Sequence, residues 1–192
     1  MRDVRSSAFE VVFVCTGNRA RSPLAEALLR RRVAAASVRV RSVGTLDVGP
    51  APPLSGALRA GLLGGVDMSQ HRARPLRASE LKGADLVVGF EPGHISAAVI
   101  DGRADVARTF SLVELGELLE GLRGVEPPAP SRPDAVIALA HARRAGRAGS
   151  FLSVPTLADP SGGSDDVFER TLDVIDRHVA TIAEVIFGIA PA

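Results

Sequence analysis

The single cysteine of this chain, Cys15, is followed six positions later by Arg21, in the run Val14-Cys15-Thr16-Gly17-Asn18-Arg19-Ala20-Arg21-Ser22-Pro23. A thiolate is a nucleophile, and a planar guanidinium can hold two oxygens of a phosphate or arsenate as a fork. Between these residues lie Thr16, Gly17, Asn18, Arg19 and Ala20, with Ser22 just after Arg21. Successive backbone N–H groups wrapped over a helix N-terminus make an anion cradle. The stretch from Thr16 to Ser22 is therefore the candidate phosphate-binding loop. Its positive field favours the thiolate of Cys15.

Such a loop needs a strand before it and a helix after it. Val11-Val12-Phe13-Val14 is apolar and mostly β-branched, which predicts a buried strand. Ser22-Pro23 predicts an N-cap and first helical residue, with Glu26 in the first turn. Leu24/Leu28 and Ala25/Leu29 then repeat at helical spacing. The context matters because Cys-x5-Arg alone is weak evidence: the chain carries 23 basic residues, and only Lys82 is a lysine.

At 192 residues, one domain spanning 1–192 is expected. A net charge of +1 gives no argument for nucleic acid or membrane surfaces as partners. No apolar run is long enough to span a bilayer, and Met1 to Ser7 has no signal-peptide core. One cysteine rules out an internal disulfide and suits a cytoplasmic location.

Further elements follow in order. Residues 37–44 alternate as a second strand, and Ser55 to Leu63 predicts a helix stopped by Gly64-Gly65. Asp85 to Phe90 is an apolar third strand, followed by a turn at Glu91-Pro92-Gly93-His94 and a helix from His94 or Ile95 to Ile100. Loops at the C-terminal ends of such strands line ligand crevices, but Glu91 and His94 are read first as an ordinary turn and cap. Asp105 to Phe110 predicts a short fourth strand, and Ser111 to Leu122 a helix whose Ser111 and Glu114 form a capping box. A proline-bearing loop (123–134), a helix (135–144) and a second loop (145–155) follow. Arg143, Arg144 and Arg147 are read as a solvated face. The last helix runs from Ser164 or Asp165 to Phe187, with an apolar stripe of Val167, Phe168, Leu172, Ile175 and Val179.

The run from Val14 to Pro23 resembles the signature loop of the low-molecular-weight protein tyrosine phosphatases, whose fold is shared by one class of arsenate reductases. Ser42-Val43-Gly44-Thr45 resembles that family's second-strand exit, and Met68 to Pro75 its Ser-x-His segment. Asp159-Pro160 resembles its general-acid loop. The resemblance implies a three-layer α/β/α sandwich with a four-stranded parallel sheet in the order 2-1-3-4, and an insertion at about 111–150. It implies catalytic roles for Cys15, Arg21 and Asp159, and a supporting network in which Asn18 and Ser22 meet Ser42 and His71. An Asn in a left-handed conformation is costly unless its side chain is satisfied, so the network would fix the loop before the anion arrives.

The implied activity is hydrolysis of phosphotyrosine or another phosphate monoester through a phosphocysteine intermediate, without metal or cofactor, on the acid side of neutral. The partner is then a phosphorylated protein or a small phosphate ester. Two departures bear on this. Ala20 stands where the family often has a second cysteine. Ser161 stands where it usually has an aromatic residue, and Leu46-Asp47-Val48 adds no ring. Two other readings share the loop: an arsenate reductase served by an external small thiol, and a non-catalytic phosphate- or phosphoprotein-binding module.

Overall fold

The computed structural model describes residues 8–125, 132–145 and 154–189. Arg147, most of the loop expected at 145–155 and part of that at 123–134 lie outside them. Four parallel strands form one sheet: β1 (Phe9–Cys15), β2 (Val38–Gly44), β3 (Leu86–Gly89) and β4 (Thr109–Ser111), in the order β2-β1-β3-β4. The helices are α1 (Arg21–Arg32), α2 (Ser55–Leu63), α3 (Pro92–Ile100), α4 (Leu112–Glu120), α5 (Arg132–Ala145) and α6 (Asp165–Phe187).

Strand periodicity divides the core. Val11, Phe13 and Cys15 point into a large apolar cluster with Leu24 and Leu28 of α1, Leu115 of α4, Ile137 of α5 and Ile175 and Val179 of α6. Val12 and Val14 point the other way, against Val43, Val87, Leu81 and Ala98 of α3. Helices therefore cover both faces, giving the three-layer α/β/α sandwich with the expected strand order.

The register positions the chemistry. Cys15 ends the central strand opposite Gly44 of β2, and Val14 pairs with Gly89 of β3. The site therefore opens at the C-terminal edge of the sheet, where the order of the strands reverses direction.

Several expected boundaries shift. Helix α1 begins at Arg21, with Ala20 in the N-cap position and no side-chain cap. Ser22 is therefore not the cap, Pro23 is not the first helical residue, and Glu26 lies beyond the first turn. The Ser22 hydroxyl is committed inward, to the loop. Helices α3 and α5 begin earlier than expected because Pro92 and Pro133 fall in first turns, where a missing N–H costs nothing. Within the expected fourth strand, Val106–Arg108 form a single 3₁₀ turn, because the Asp105 side chain accepts the Ala107 N–H; only Thr109–Ser111 pair with β3. Helix α4 stops at Glu120, and its Ser111–Glu114 capping box is formed in both directions.

Candidate active site

The loop after Cys15 is built by turning its carbonyls outward. The Cys15 carbonyl accepts from the Thr45 N–H at 2.8 Å, Thr16 from the Leu46 N–H at 2.9 Å, and Arg19 from the Leu54 N–H at 2.8 Å. The Asn18 carbonyl is met by His71 Nε2 at 2.9 Å. In a trans peptide the N–H of the next residue points opposite to the carbonyl. The amides of Thr16, Gly17, Arg19 and Ala20 therefore face the interior of the loop, as an anion cradle requires.

Asn18 holds the turn. Its φ is 52°, in the left-handed region. Its Nδ2 donates to Ser22 Oγ at 2.9 Å and Ser42 Oγ at 2.7 Å, and its Oδ1 accepts the Arg74 N–H at 3.0 Å. Ser22 Oγ lies 3.0 Å from Cys15 Sγ. The structure thus brings Asn18, Ser22, Ser42 and His71 together beneath Cys15. Glu26, whose role sequence reasoning missed, joins the network: buried, it accepts the Ser42 hydroxyl at 2.5 Å and is ion-paired with Arg30. Its place on α1 facing β2 was the available signal, and the first-turn reading obscured it.

Arg21 is 1% exposed, an unusual place for a guanidinium, and three acceptors hold it. Nη1 donates to Glu91 Oε1 at 2.7 Å and to the Leu157 carbonyl at 2.8 Å; Nη2 donates to Asp159 Oδ2 at 2.7 Å. Its carbon also sits 5.8 Å from the centre of the Phe90 ring.

Asp159 comes from far along the chain, and three hydrogen bonds dock its segment. The Leu157 N–H donates to the Phe90 carbonyl at 3.0 Å, the Ser111 hydroxyl to the Pro155 carbonyl at 2.8 Å, and Arg21 holds Leu157 from below. Asp159 Oδ1 accepts both the N–H and the hydroxyl of Ser161. Burial pushes the Asp159 carboxyl up, but the Ser161 hydrogen bonds and the Arg21 charge outweigh it, so the carboxyl is held below its ordinary range.

Glu91 and His94, read from sequence as an ordinary turn and cap, belong to this cluster. His94 is buried at 3% exposure, with Nδ1 3.2 Å from the Phe90 nitrogen and Nε2 3.0 Å from Thr16 Oγ1. Desolvation, helped by the Arg21 charge and opposed by Glu91 and Asp159, pulls its pKa down to about 4. Of the arginines at the end of α5, Arg143 is exposed as the solvated reading expects, whereas Arg144 departs from it. Arg144 stacks 3.8 Å from the Phe110 ring centre and pairs with Glu114 at 3.0 Å, while Arg143 donates to the Gly121 carbonyl.

The cleft above the loop encloses about 190 Å³, lined by Cys15, Thr16, Gly17, Arg19, Ala20, Arg21, Val48, Leu54, Asp159 and Ser161. No ring lines it. A larger apolar cavity of about 280 Å³ lies against Ile95, Val99, Val106 and Arg144.

A parallel α/β sheet that presents a thiol, a buried arginine and a loop carboxylic acid at one strand end defines a protein that handles tetrahedral oxyanions. Residues 10–134 match the family described as low molecular weight phosphotyrosine protein phosphatase. The Streptomyces coelicolor low molecular weight protein-tyrosine-phosphatase is 33% identical over 175 residues, covering 88% of this chain and 87% of that one. The Ralstonia solanacearum protein named "Probable low molecular weight protein-tyrosine-phosphatase EpsP" is 36% identical over 108 residues, 56% of this chain and 71% of that one. The structure of the T. tengcongensis low molecular weight protein tyrosine phosphatase superposes with a TM-score of 0.66 at 25% identity, covering 91% of this chain and 97% of that one. The chain belongs to the low molecular weight protein-tyrosine-phosphatase family and is a cysteine-dependent phosphatase.

Proposed function

We propose that Cys15, Arg21 and Asp159 carry out hydrolysis of a phosphate monoester in two displacements. The Cys15 thiolate attacks phosphorus in line as the bond to the ester oxygen breaks, and Asp159 gives that oxygen its proton. The loop N–H groups of residues 16–21, with those of Thr16, Gly17, Arg19 and Ala20 facing inward, and the Arg21 fork take the charge of the three equatorial oxygens. Water then attacks the phosphocysteine, Asp159 takes its proton, and inorganic phosphate leaves as the thiolate is restored. Ser22 Oγ, 3.0 Å from the sulfur, stabilises the thiolate as leaving group.

The observation that carries this reading is the 2.7 Å contact between Arg21 Nη2 and Asp159 Oδ2. It joins a group suited to holding phosphate to a carboxyl suited to protonating a leaving oxygen. Arsenate reduction has no ester oxygen to protonate, and binding alone needs neither thiol nor acid. A phosphorylated protein or a small phosphate ester fits the cleft, and a reducing cytoplasm suits its lone thiol. Among the described residues the rim is Arg19, Val48, Leu54 and Ser161, none of which offers phosphotyrosine the ring stacking worth about 0.5–1.5 kcal/mol per contact.

The test is hydrolysis of an aryl phosphate across pH 4–8 by wild type, Cys15→Ser and Asp159→Asn. Turnover lost in Cys15→Ser and lowered about 10²- to 10⁴-fold in Asp159→Asn supports both assignments. An unaffected Asp159→Asn enzyme removes Asp159 from the acid role.

A further inference from the structure

The His94 imidazole has a fixed tautomer. The Phe90 N–H can donate only to an unprotonated Nδ1, so the neutral ring carries its hydrogen on Nε2. Nε2 lies 3.0 Å from Thr16 Oγ1, so that hydrogen faces the hydroxyl oxygen. Thr16 accepts it with a lone pair and so keeps its own hydroxyl hydrogen to give elsewhere. With the opposite tautomer, Thr16 would have to donate to the ring and would have nothing left for a ligand. Thr16 follows the nucleophile directly, lines the cleft, and has its carbonyl tied back by Leu46. We infer that His94 is a positioning residue for the phosphoryl site: its Nε2–H orients the Thr16 hydroxyl so that Thr16 donates to a bound phosphoryl oxygen.

The surroundings keep the ring in this state. Burial and the nearby Arg21 charge hold His94 neutral at any pH near 7, although Glu91 Oε2 is only 3.7 Å from Nε2. Backbone, imidazole and hydroxyl thus form a chain running from the end of β3 into the phosphate loop. Fixing a hydroxyl in advance removes the reorganisation it would otherwise need when phosphate arrives.

The inference rests on the phosphate-cradle reading, and two amide substitutions dissect it. In His94→Gln the side-chain amide nitrogen reaches the place of Nε2 and can still donate to Thr16. In His94→Asn the amide oxygen takes the place of Nδ1 and serves only Phe90. Binding of inorganic phosphate, followed by calorimetry, and kcat/KM on an aryl phosphate are read together with melting curves. We expect His94→Asn and Thr16→Val each to weaken phosphate binding about tenfold and to lower kcat/KM similarly. The double variant should be no worse than either, and His94→Gln and Thr16→Ser should each recover most of the loss. A loss in His94→Gln with none in His94→Asn would assign His94 to Phe90 alone, and equal losses in the two would overturn the Thr16 role. Losses that multiply in the double variant, or full phosphate affinity in Thr16→Val, would also overturn the inference. If His94→Asn does not fold, Thr16→Val against Thr16→Ser decides on the same titration. Phosphate binding needs no turnover, so failure of the catalytic assignments would appear separately, in Cys15→Ser and Asp159→Asn.

Discussion

Arg21 Nη2 and Asp159 Oδ2 lie 2.7 Å apart, so the guanidinium that would grip phosphate holds the carboxyl that would protonate the leaving group. The arrangement keeps Asp159 ionised, the wrong state for an acid. A phosphate dianion reverses both conditions. It competes for the Arg21 fork, and its charge disfavours a second anion beside it. Oxyanion binding should therefore raise the Asp159 carboxyl pKa. Carboxyl NMR titration with and without inorganic phosphate checks this. An Asp159 titration that phosphate leaves in place would rule out this coupling.

Glu91 occupies the other arm of the same guanidinium at 2.7 Å, with a side chain 35% exposed. Its charge helps keep Arg21 in place but repels an incoming anion. Glu91→Gln retains an oxygen that can accept from Nη1 and removes the charge. At an effective dielectric near 20 the removed repulsion is on the order of 1 kcal/mol after solvent screening. Phosphate should then inhibit the variant at about three- to tenfold lower concentration. Weaker inhibition would mean that the Glu91 charge matters more for holding Arg21 than for repelling phosphate.

How much of this was legible in the sequence depends on the range of the interactions. Helix α2 and the Ser111 capping box were readable because their signals are local: a Gly-Gly stop in one case and a Ser-x-x-Glu pair in the other. Cys15 and Arg21 were readable for the same reason. Glu91 and His94 were not, since their significance arises only when β3 pairs with β1 and sets the turn after Phe90 beside the loop after Cys15. Ser22 misled in an instructive way. Ser-Pro is a strong local capping signal, but the demand of buried Asn18 and Cys15 for a partner prevailed, and the helix began at Arg21 without a side-chain cap. Arg144 was misread because nothing local announces that Phe110 and Glu114 will meet it.

Gly44 provides a test of the loop's backbone. A Cβ there would come within 2.8 Å of the Thr16 oxygen and 3.0 Å of the Asn18 nitrogen, both backbone atoms that cannot rotate away. Gly44→Ala should therefore displace the cradle at a cost of about 1–3 kcal/mol in stability. Phosphate affinity and turnover should fall together by at least about tenfold while a cooperative melt persists. A variant of full activity would mean that the loop tolerates a shift that its hydrogen bonds argue against.

His94 makes stability depend on pH in a calculable direction. Its folded pKa, about 4, lies below the ordinary value of about 6.5. Above pH 6.5 the ring is neutral in both folded and unfolded chains and contributes no slope. As pH falls from 6.5 to 4 the unfolded chain takes up a proton that the folded chain refuses, so stability is lost through that window and levels off below it. The full difference corresponds to about 3 kcal/mol. Carboxylates held low by their partners, such as Asp67 and Asp159, act in the same sense but mainly below pH 4. His178, also held low by burial and Arg177, contributes within the window and is common to wild type and variant. The difference between wild type and His94→Asn therefore isolates His94. Urea melts from pH 7.5 to 4 should show the wild type losing about 3 kcal/mol more than the variant. Parallel curves would mean that the ring takes up its proton in the folded chain as readily as in the unfolded one, and that burial and the Arg21 charge do not hold it neutral.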